Sequence, residues 1–228
     1  MRYCSVLLIS LCFMACQSEI DQDTDRLGAN YFPMEMGQYR IYDVHEINYY
    51  LIGPEESNYQ LKEEVVDSTL LSHNKIEYKL HRSVRADDTQ TWKLDSVWTT
   101  QVGSSTIVAN ENNVSYVKLV FPIENNLVWD ANVYNTRGAE YYQYAAQKMD
   151  TTLFDTLYVD AVKVIQSDLG YYTVGRDDRY ELFAADIGMI LKYSIVWEYF
   201  QEDGTVDANK IVGGRDLVMT MIEYGKTE

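Results

Sequence analysis

The sequence predicts an all-β protein formed by a single antiparallel, curved sheet, arranged as a half-barrel or as an open barrel or sandwich, with little helix. Aromatic residues that favour strands are abundant, since the 228 residues include 20 Tyr and 4 Trp but only 3 Pro. Apolar and polar residues alternate with period two in several segments, as in half-buried strands. Short polar turns separate these segments, and none has the periodicity of a long amphipathic helix.

Two segments show the alternation most clearly. In residues 74–82 (NKIEYKLHR), one face carries Ile76, Tyr78 and Leu80 while the other is polar. In residues 189–200 (MILKYSIVWEYF), one face carries six large side chains: Met189, Leu191, Tyr193, Ile195, Trp197 and Tyr199. Asp203-Gly204 then predicts a hairpin turn before a last strand at 216–224.

The remaining strands follow from weaker versions of the same pattern. They are predicted at 39–52, 58–71, 90–101, 113–121, 140–146, 156–166 and 178–184. Turns are predicted between them at GPEES (53–57), RADD (85–88), ANENN (109–113) and GRDD (175–178). No Pro-, Gly- or Ser-rich linker interrupts residues 31–226, so we expect one β domain over that range.

Residues 1–15 have the organisation of an export signal. Arg2 precedes an apolar stretch from Ser5 to Ala15, which is too short to span a bilayer and has the length of a signal-peptide core. Cys16 follows a small residue, and this junction resembles a bacterial lipobox, although Phe13 stands where that motif usually has Leu. We therefore predict a lipoprotein signal peptide at 1–15 and lipidation of Cys16. The alternative is an ordinary secreted protein with an incidental cysteine.

Residues 16–30 predict an acidic, flexible tether, because they lack apolar periodicity. Asp21, Asp23 and Asp25 have the spacing that opens a calcium loop. Arg26 and Phe32 occupy the positions where that loop needs glycine and a bidentate acid, so we reject the calcium site. The acidic run after Cys16 also resembles the surface-export signals of bacteroidete lipoproteins, with a solvated periplasmic linker as the alternative.

Charge argues against two classes of partner. The chain has 19 Lys+Arg and 35 Asp+Glu, a net charge of −16, and loss of Arg2 with the signal would leave 18 against 35. A protein this acidic is repelled by phosphate backbones and by anionic headgroups. We therefore expect no nucleic-acid partner, and contact with the bilayer only through the lipid on Cys16.

Three longer segments carry a family resemblance: YFPMEMGQYRIYDV (31–44), VKLVFPIENNLVWDANVYNTRGAEYY (117–142) and RYELFAADIGMILKY (179–193). They resemble uncharacterised bacteroidete lipoproteins with an antiparallel, half-barrel-like domain. The resemblance implies a large curved sheet in an exported, anchored protein, and it implies no catalytic residue.

Catalytic and metal-binding motifs are missing from the sequence. His45-Glu46 begins like a zinc-protease helix, but Tyr49 stands where the second histidine is needed. The three histidines lack ligand spacing, so we predict no metal site and no cofactor. The Asp and Glu residues are too numerous for a glycosidase-type pair to be singled out.

The large aromatic residues are the candidate ligand-binding residues. Trp92 and Trp98 fall on one face of a predicted strand, and Tyr193, Trp197 and Tyr199 share a face of another. Exposed on the concave side of the sheet, they would stack on sugars or line an apolar groove. The alternative is that they are core residues, as large aromatics usually are.

These observations favour a non-enzymatic binding or carrier module of the cell envelope, held in the outer membrane as a periplasmic or surface-exposed lipoprotein. Its partner would be an apolar or glycan ligand, or another envelope protein. Two alternatives remain: a structural or accessory subunit of an envelope complex, which predicts an apolar patch or open sheet edge, and a hydrolase of envelope polymers, which predicts convergent acids in a cleft.

Overall fold

The computed structural model describes residues 27–72 and 74–227 and consists almost entirely of strands. Thirteen strands form one antiparallel sheet, and a single 3-10 turn at Ala29–Tyr31 precedes them. The all-β, single-sheet prediction is therefore confirmed. The strands are β1 Gln38–Tyr50, β2 Gly53–Ser72, β3 Lys75–Arg85, β4 Lys93–Gly103, β5 Thr106–Glu111, β6 Val114–Val120, β7 Val128–Asp130, β8 Tyr141–Tyr144, β9 Met149–Leu153, β10 Thr156–Tyr172, β11 Gly175–Ala184, β12 Gly188–Glu202 and β13 Thr205–Lys226.

Most strands pair with their neighbours in sequence, and the first and last strands lie side by side. The order is β6-β5-β4-β3-β2-β1-β13-β12-β11-β10-β8-β7, and β9 pairs with the start of β10. Strands twist relative to one another, so a sheet of this size curls towards closure. The result is a nearly closed barrel with β6 and β7 as its two edges.

Hydrogen bonds cross the seam between these edges. The Val117 backbone N–H of β6 donates to the carbonyl of Ala131, just after β7, at 2.9 Å. The indole N–H of Trp129 donates back to the Val117 carbonyl at 2.9 Å. The Tyr144 hydroxyl bonds both the N–H (3.0 Å) and the carbonyl (2.9 Å) of Val120. Backbone groups that an open sheet would expose are thus paired along part of both edges.

Residues 27–35 cross one end of the barrel. Leu27 accepts a backbone hydrogen bond from Ile123, and Asn30 accepts one from Asp186. Met34 packs with Val65 and Leu80 in a small buried cluster. The described chain packs against the barrel from Leu27 onward, four residues before the predicted start of the β domain. Residues 1–26, including Cys16, lie outside the described residues.

The structure also revises details of the strand prediction. GPEES and GRDD were predicted as turns, but Gly53 and Gly175 begin strands β2 and β11, and the turns lie just before them. Strands β5, β7 and β9, which are six, three and five residues long, were not predicted. The described residues contain no helix that is long and apolar enough to cross a membrane.

Candidate ligand-binding cavity

A cavity of about 940 Å³ occupies the end of the barrel opposite residues 27–35. Side chains from ten strands line it, together with the loops at 86–91 and 131–140; the strands are β2 to β6, β8 and β10 to β13. Below it, Phe32, Met34, Phe183 and Met189 fill the space towards the closed end and leave only about 60 Å³. The barrel is therefore packed at one end and hollow at the other.

Period-two alternation places polar residues of β12 inside. Lys192 and Ser194 line the cavity, so the intervening Tyr193 points to the outer face, where it pairs with Tyr180. Their rings stack with centroids 5.0 Å apart. The face of residues 189–200 that the sequence suggested as a concave, apolar surface thus lies largely on the outside of the barrel.

Two lysines and two glutamates form the floor of the cavity. Lys118 donates to Glu181 at 2.6 Å and to Glu111 at 3.0 Å. Lys192 lies 3.2 Å from Glu181 and 3.8 Å from Glu111. Glu181 is fully buried, and its Oε2 atom has no hydrogen-bond partner among the described residues. Buried charges are tolerated when they are paired in this way.

The floor lysines keep both glutamates ionised. Burial raises the pKa of Glu111, but the charges of Lys118 and Lys192 outweigh burial and bring that pKa down to about 2. The pKa of Glu181 is also lowered, because the same two lysines outweigh its burial. In turn, the two carboxylates overcome the effect of burial on Lys118 and raise its pKa. Glu111, Glu181 and Lys118 therefore carry their charge at neutral pH.

Cations dominate the walls. Eight Lys or Arg residues line the cavity against four Asp or Glu, in a chain whose net charge is −16. Three wall arginines are paired with acids: Arg82 with Glu63 at 3.0 Å, Arg179 with Glu140 at 2.6 Å, and Arg215 with Glu46 at 2.8 Å.

Three arginines around the cavity also lie over aromatic rings. The Arg82 guanidinium is 3.6 Å from the ring centroid of Trp98, and Arg85 is 4.2 Å from that of Trp92. Arg137 is 5.7 Å from the Tyr116 centroid and donates to its hydroxyl at 2.7 Å. Such cation–π contacts hold a guanidinium in place without neutralising it.

The structure separates the five predicted ligand-binding residues. Trp98 lines the cavity, and its indole N–H is buried without a partner among the described residues. Trp92 precedes β4 and packs on Arg85 near the mouth. Tyr193 and Trp197 lie on the outer face, and Tyr199 is buried opposite Ile211 at an irregular point of the β12–β13 pairing.

Trp197 belongs to an aromatic cluster outside the cavity. Its ring centroid lies 6.2 Å from that of Tyr49 and 6.0 Å from that of Tyr171, and Arg176 is 5.0 Å from the Trp197 centroid. The indole N–H donates to Asp216. Trp98 and Trp197 therefore cannot contact the same small ligand.

The cavity cations were not among the predicted site residues. One signal in the sequence does mark one of them: Arg82 follows Leu80 by two residues, and both point inwards. Lys118 carries no such signal, because buried Val117 and Leu119 are its immediate neighbours in sequence. A cation in register with the apolar face of a strand is a sign of a polar barrel interior.

Comparisons with known proteins give two solved structures and no match elsewhere. No protein-family model and no curated protein matches the chain. One similar structure, described as an exported protein with a YmcC-like fold from Bacteroides fragilis, has a TM-score of 0.47 and 9% identity, covering 86% of this chain and 98% of that one. The other, described as a lipoprotein from Parabacteroides distasonis, has a TM-score of 0.43 at the same identity and coverage.

Both neighbours come from the bacterial group whose lipoproteins the sequence resembles. At 9% identity and TM-scores below 0.5, neither carries an inference about what this protein binds or does. The chemistry of the cavity therefore has to be read from its own residues. Those residues offer many hydrogen-bond donors, and within the described part of the chain no group of three or more His, Cys, Asp or Glu is placed to hold a metal ion.

Proposed function

We propose that this protein is an outer-membrane lipoprotein, anchored through Cys16, and that it acts as a non-enzymatic binding or carrier module whose ligand occupies the barrel cavity. The observation that carries this proposal is the cavity itself. At about 940 Å³, with one end packed and the other open, it lies within the 300–1,000 Å³ range of small-molecule sites.

The position of the N-terminal segment supports this arrangement. The described chain begins at Leu27, whose carbonyl bonds Ile123 at the packed end of the barrel. Residues 27–35 therefore cover the end opposite the mouth and leave the cavity open to ligands.

The charge states of the floor acids argue against the hydrolase alternative. A glycosidase-type general acid needs a raised pKa so that it is protonated at working pH. Glu111 and Glu181 instead have lowered pKa values because Lys118 and Lys192 hold them ionised. These two carboxylates suit a structural or electrostatic role better than proton donation.

One observation favours the accessory-subunit alternative. The tip of the β1–β2 hairpin exposes two apolar side chains, Leu51 at 68% and Ile52 at 95%. Exposed apolar residues of this kind are common at protein–protein contacts. A protein partner at this tip is compatible with a ligand in the cavity, because the tip does not line it.

The proposal is tested by filling the cavity. Ser194→Trp places a large side chain inside, whereas Ser68→Trp, at an exposed position of β2, is the matched control. We would titrate the full-length protein in detergent with maltotriose, trigalacturonate, inorganic phosphate and palmitate by calorimetry. We expect at least one probe to bind the wild type and the control, and not Ser194→Trp. Equal binding by both variants, or no binding by any protein, would contradict a cavity site.

A further inference from the structure

We infer that the cavity takes an anionic ligand, bearing carboxylate, sulfate or phosphate groups, and that Arg85, Lys93 and Arg137 recognise it at the mouth. This inference rests on the proposed binding function and names the chemical class of its ligand. Some charged side chains of the cavity are already paired with other protein groups, and others are not.

The four acids that line the cavity already have partners. Glu111 is bound by Lys118, and Glu140 by Arg179. Asp87 accepts hydrogen bonds from the backbone N–H and the hydroxyl of Thr89, within its own loop. Asp95 accepts one from the Ser96 hydroxyl, at 3.0 Å. Each of these four acids thus has a local hydrogen-bond partner, and the unpartnered Oε2 atom of Glu181 lies beneath them, fully buried below the cavity.

Three of the eight lining cations lack an acidic partner, whereas two of the four lining acids, Asp87 and Asp95, lack a cationic one among the described residues. Among the described residues, Arg85, Lys93 and Arg137 form no ion pair within 4.0 Å, whereas the other five lining cations do. Arg85 donates its Nε–H to the neutral Gln60 side chain at 2.7 Å. Arg137 donates to the Tyr116 hydroxyl. Three cations against two acids without ion pairs leave a net positive charge at the mouth, which is available to a ligand.

The three cations lie on one arc of the rim. Arg85 ends β3 and Lys93 begins the adjacent β4. Arg137 belongs to the loop after β7, and its contact with Tyr116 of β6 brings it across the seam of the barrel. The rim from β3 round to β7 therefore presents cations to any molecule that enters.

The stacking contacts prepare two of these groups for binding. Because Trp92 and Tyr116 hold the guanidinium groups of Arg85 and Arg137, a ligand does not have to immobilise freely rotating side chains. The remaining N–H donors of a guanidinium match the oxygen pair of a carboxylate, sulfate or phosphate. A neutral or purely apolar ligand would leave these donors unused.

An unpaired donor deeper in the cavity requires an oxygen acceptor, which an anionic ligand also supplies. The Trp98 indole N–H is buried and unpaired among the described residues, beside Arg82. Such a group costs free energy until it finds an acceptor. An oxyanion or hydroxyl oxygen of a ligand that extends inwards from the rim would supply that acceptor.

The experiment removes the rim charge and compares probes on the full-length protein. Trigalacturonate supplies carboxylates on a sugar chain, inorganic sulfate and phosphate supply the isolated oxyanions, and maltotriose is the neutral counterpart. The test variant is Arg85→Gln/Arg137→Gln. The matched control is Lys79→Gln/Lys210→Gln, which removes the same charge from side chains that do not line the cavity.

We expect an anionic probe to bind the wild type, with at least a tenfold loss of affinity in the rim variant and less than a twofold change in the control. Binding should weaken as salt rises from 50 to 200 mM, because the rim charges are exposed to solvent. Which probe binds best distinguishes a sugar carboxylate from a free sulfate or phosphate. Thermal melts without ligand check that each variant folds. If the double variant unfolds, the exposed Lys93→Gln variant replaces it, with a smaller expected loss of affinity for the anionic probe.

Two results would overturn the inference. One is that no anionic probe binds the wild type, and the other is that an anionic probe binds the rim variant as tightly as the wild type. If maltotriose, the neutral probe, binds and Ser194→Trp blocks that binding while the rim variant does not, the anionic ligand class is overturned and the proposed binding function stands.

Discussion

Glu111 illustrates how a single charged residue links the stability of the barrel to pH. Only 17% of its side chain is exposed, and it faces the Lys118 ammonium at 3.0 Å. The pKa of Glu111 falls from an ordinary 4.5 to about 2 in the folded protein. Since the folded pKa is depressed, the stabilising contribution is complete above pH 4.5 and is lost as the pH falls through about 2.

We predict that Glu111→Gln reduces the acid sensitivity of the fold. The free energy of unfolding, measured by urea titration between pH 5 and pH 2, should fall more steeply in the wild type than in the variant. Asp67→Asn is the control, because Asp67 pairs with Lys79 on the exposed surface and its loss should leave the pH profile close to that of the wild type. Parallel profiles for the wild type and Glu111→Gln would contradict the prediction.

At the scale of elements, the packed end of the barrel depends on contacts between the N-terminal segment, β1 and the β11–β12 turn. Arg40 of β1 is 4% exposed and donates to the carbonyls of Pro33, at 2.8 Å, and Ile187. Gly188 lets this arginine approach, because a Cβ atom there would lie 2.7 Å from the Arg40 Nε. Arg40 thus links the backbone of the N-terminal segment to that of the β11–β12 turn, next to Gly188.

We predict that Gly188→Ala is more destabilising than Gly204→Ala. Both glycines have positive φ angles, +100° and +76°, but a Cβ atom at Gly204 would meet nothing within 4 Å. Gly204→Ala should therefore cost about 1–2 kcal/mol of backbone strain. Gly188→Ala should cost about 1.5–3 kcal/mol more, because Arg40 must give up a hydrogen bond of a charged group. Denaturant melts measure the loss of unfolding free energy in each variant. Equal losses in Gly188→Ala and Gly204→Ala would contradict the prediction, because they would mean that Arg40 can move away from the new Cβ atom without cost.

At the scale of the whole molecule, the barrel separates its charges in space. The chain carries a net charge of −16, yet cations outnumber acids two to one along the cavity. An acidic exterior favours solubility and disfavours contact with anionic lipid headgroups. Membrane attachment of such a protein therefore needs a dedicated anchor. Lipidation at Cys16, outside the described residues, would supply it.

We predict that Cys16→Ser releases the protein from membranes. Several acyl chains on one cysteine hold a protein far more durably than one chain does, and anionic headgroups repel a protein as acidic as this one. Cell fractionation and lipid labelling measure the effect, with Cys12→Ser as the control, because Leu11 before Cys12 makes it a poor lipidation site. Unchanged membrane partition of Cys16→Ser would contradict the predicted anchor.

The sequence by itself determined the fold class and most strands of the sheet. Period-two alternation depends on local residue order, so residues 74–82 and 189–200 identify strands β3 and β12 without any knowledge of their neighbours. Very short strands such as β7 escaped prediction because three residues cannot display a period. Alternation also says which side chains share a face, and it does so correctly for Tyr193 and Trp197.

Only the tertiary structure decided which face of each strand is inside. Trp98 and Trp197 are equivalent candidates in the sequence, yet one lines the cavity and the other packs on the outer surface with Tyr49. The choice depends on how the sheet curls and on which partners cover each face, and both are long-range properties. Lys118 and Glu181 meet at 2.6 Å although 63 residues separate them, so closure of the barrel, and no local pattern, creates the charged cavity.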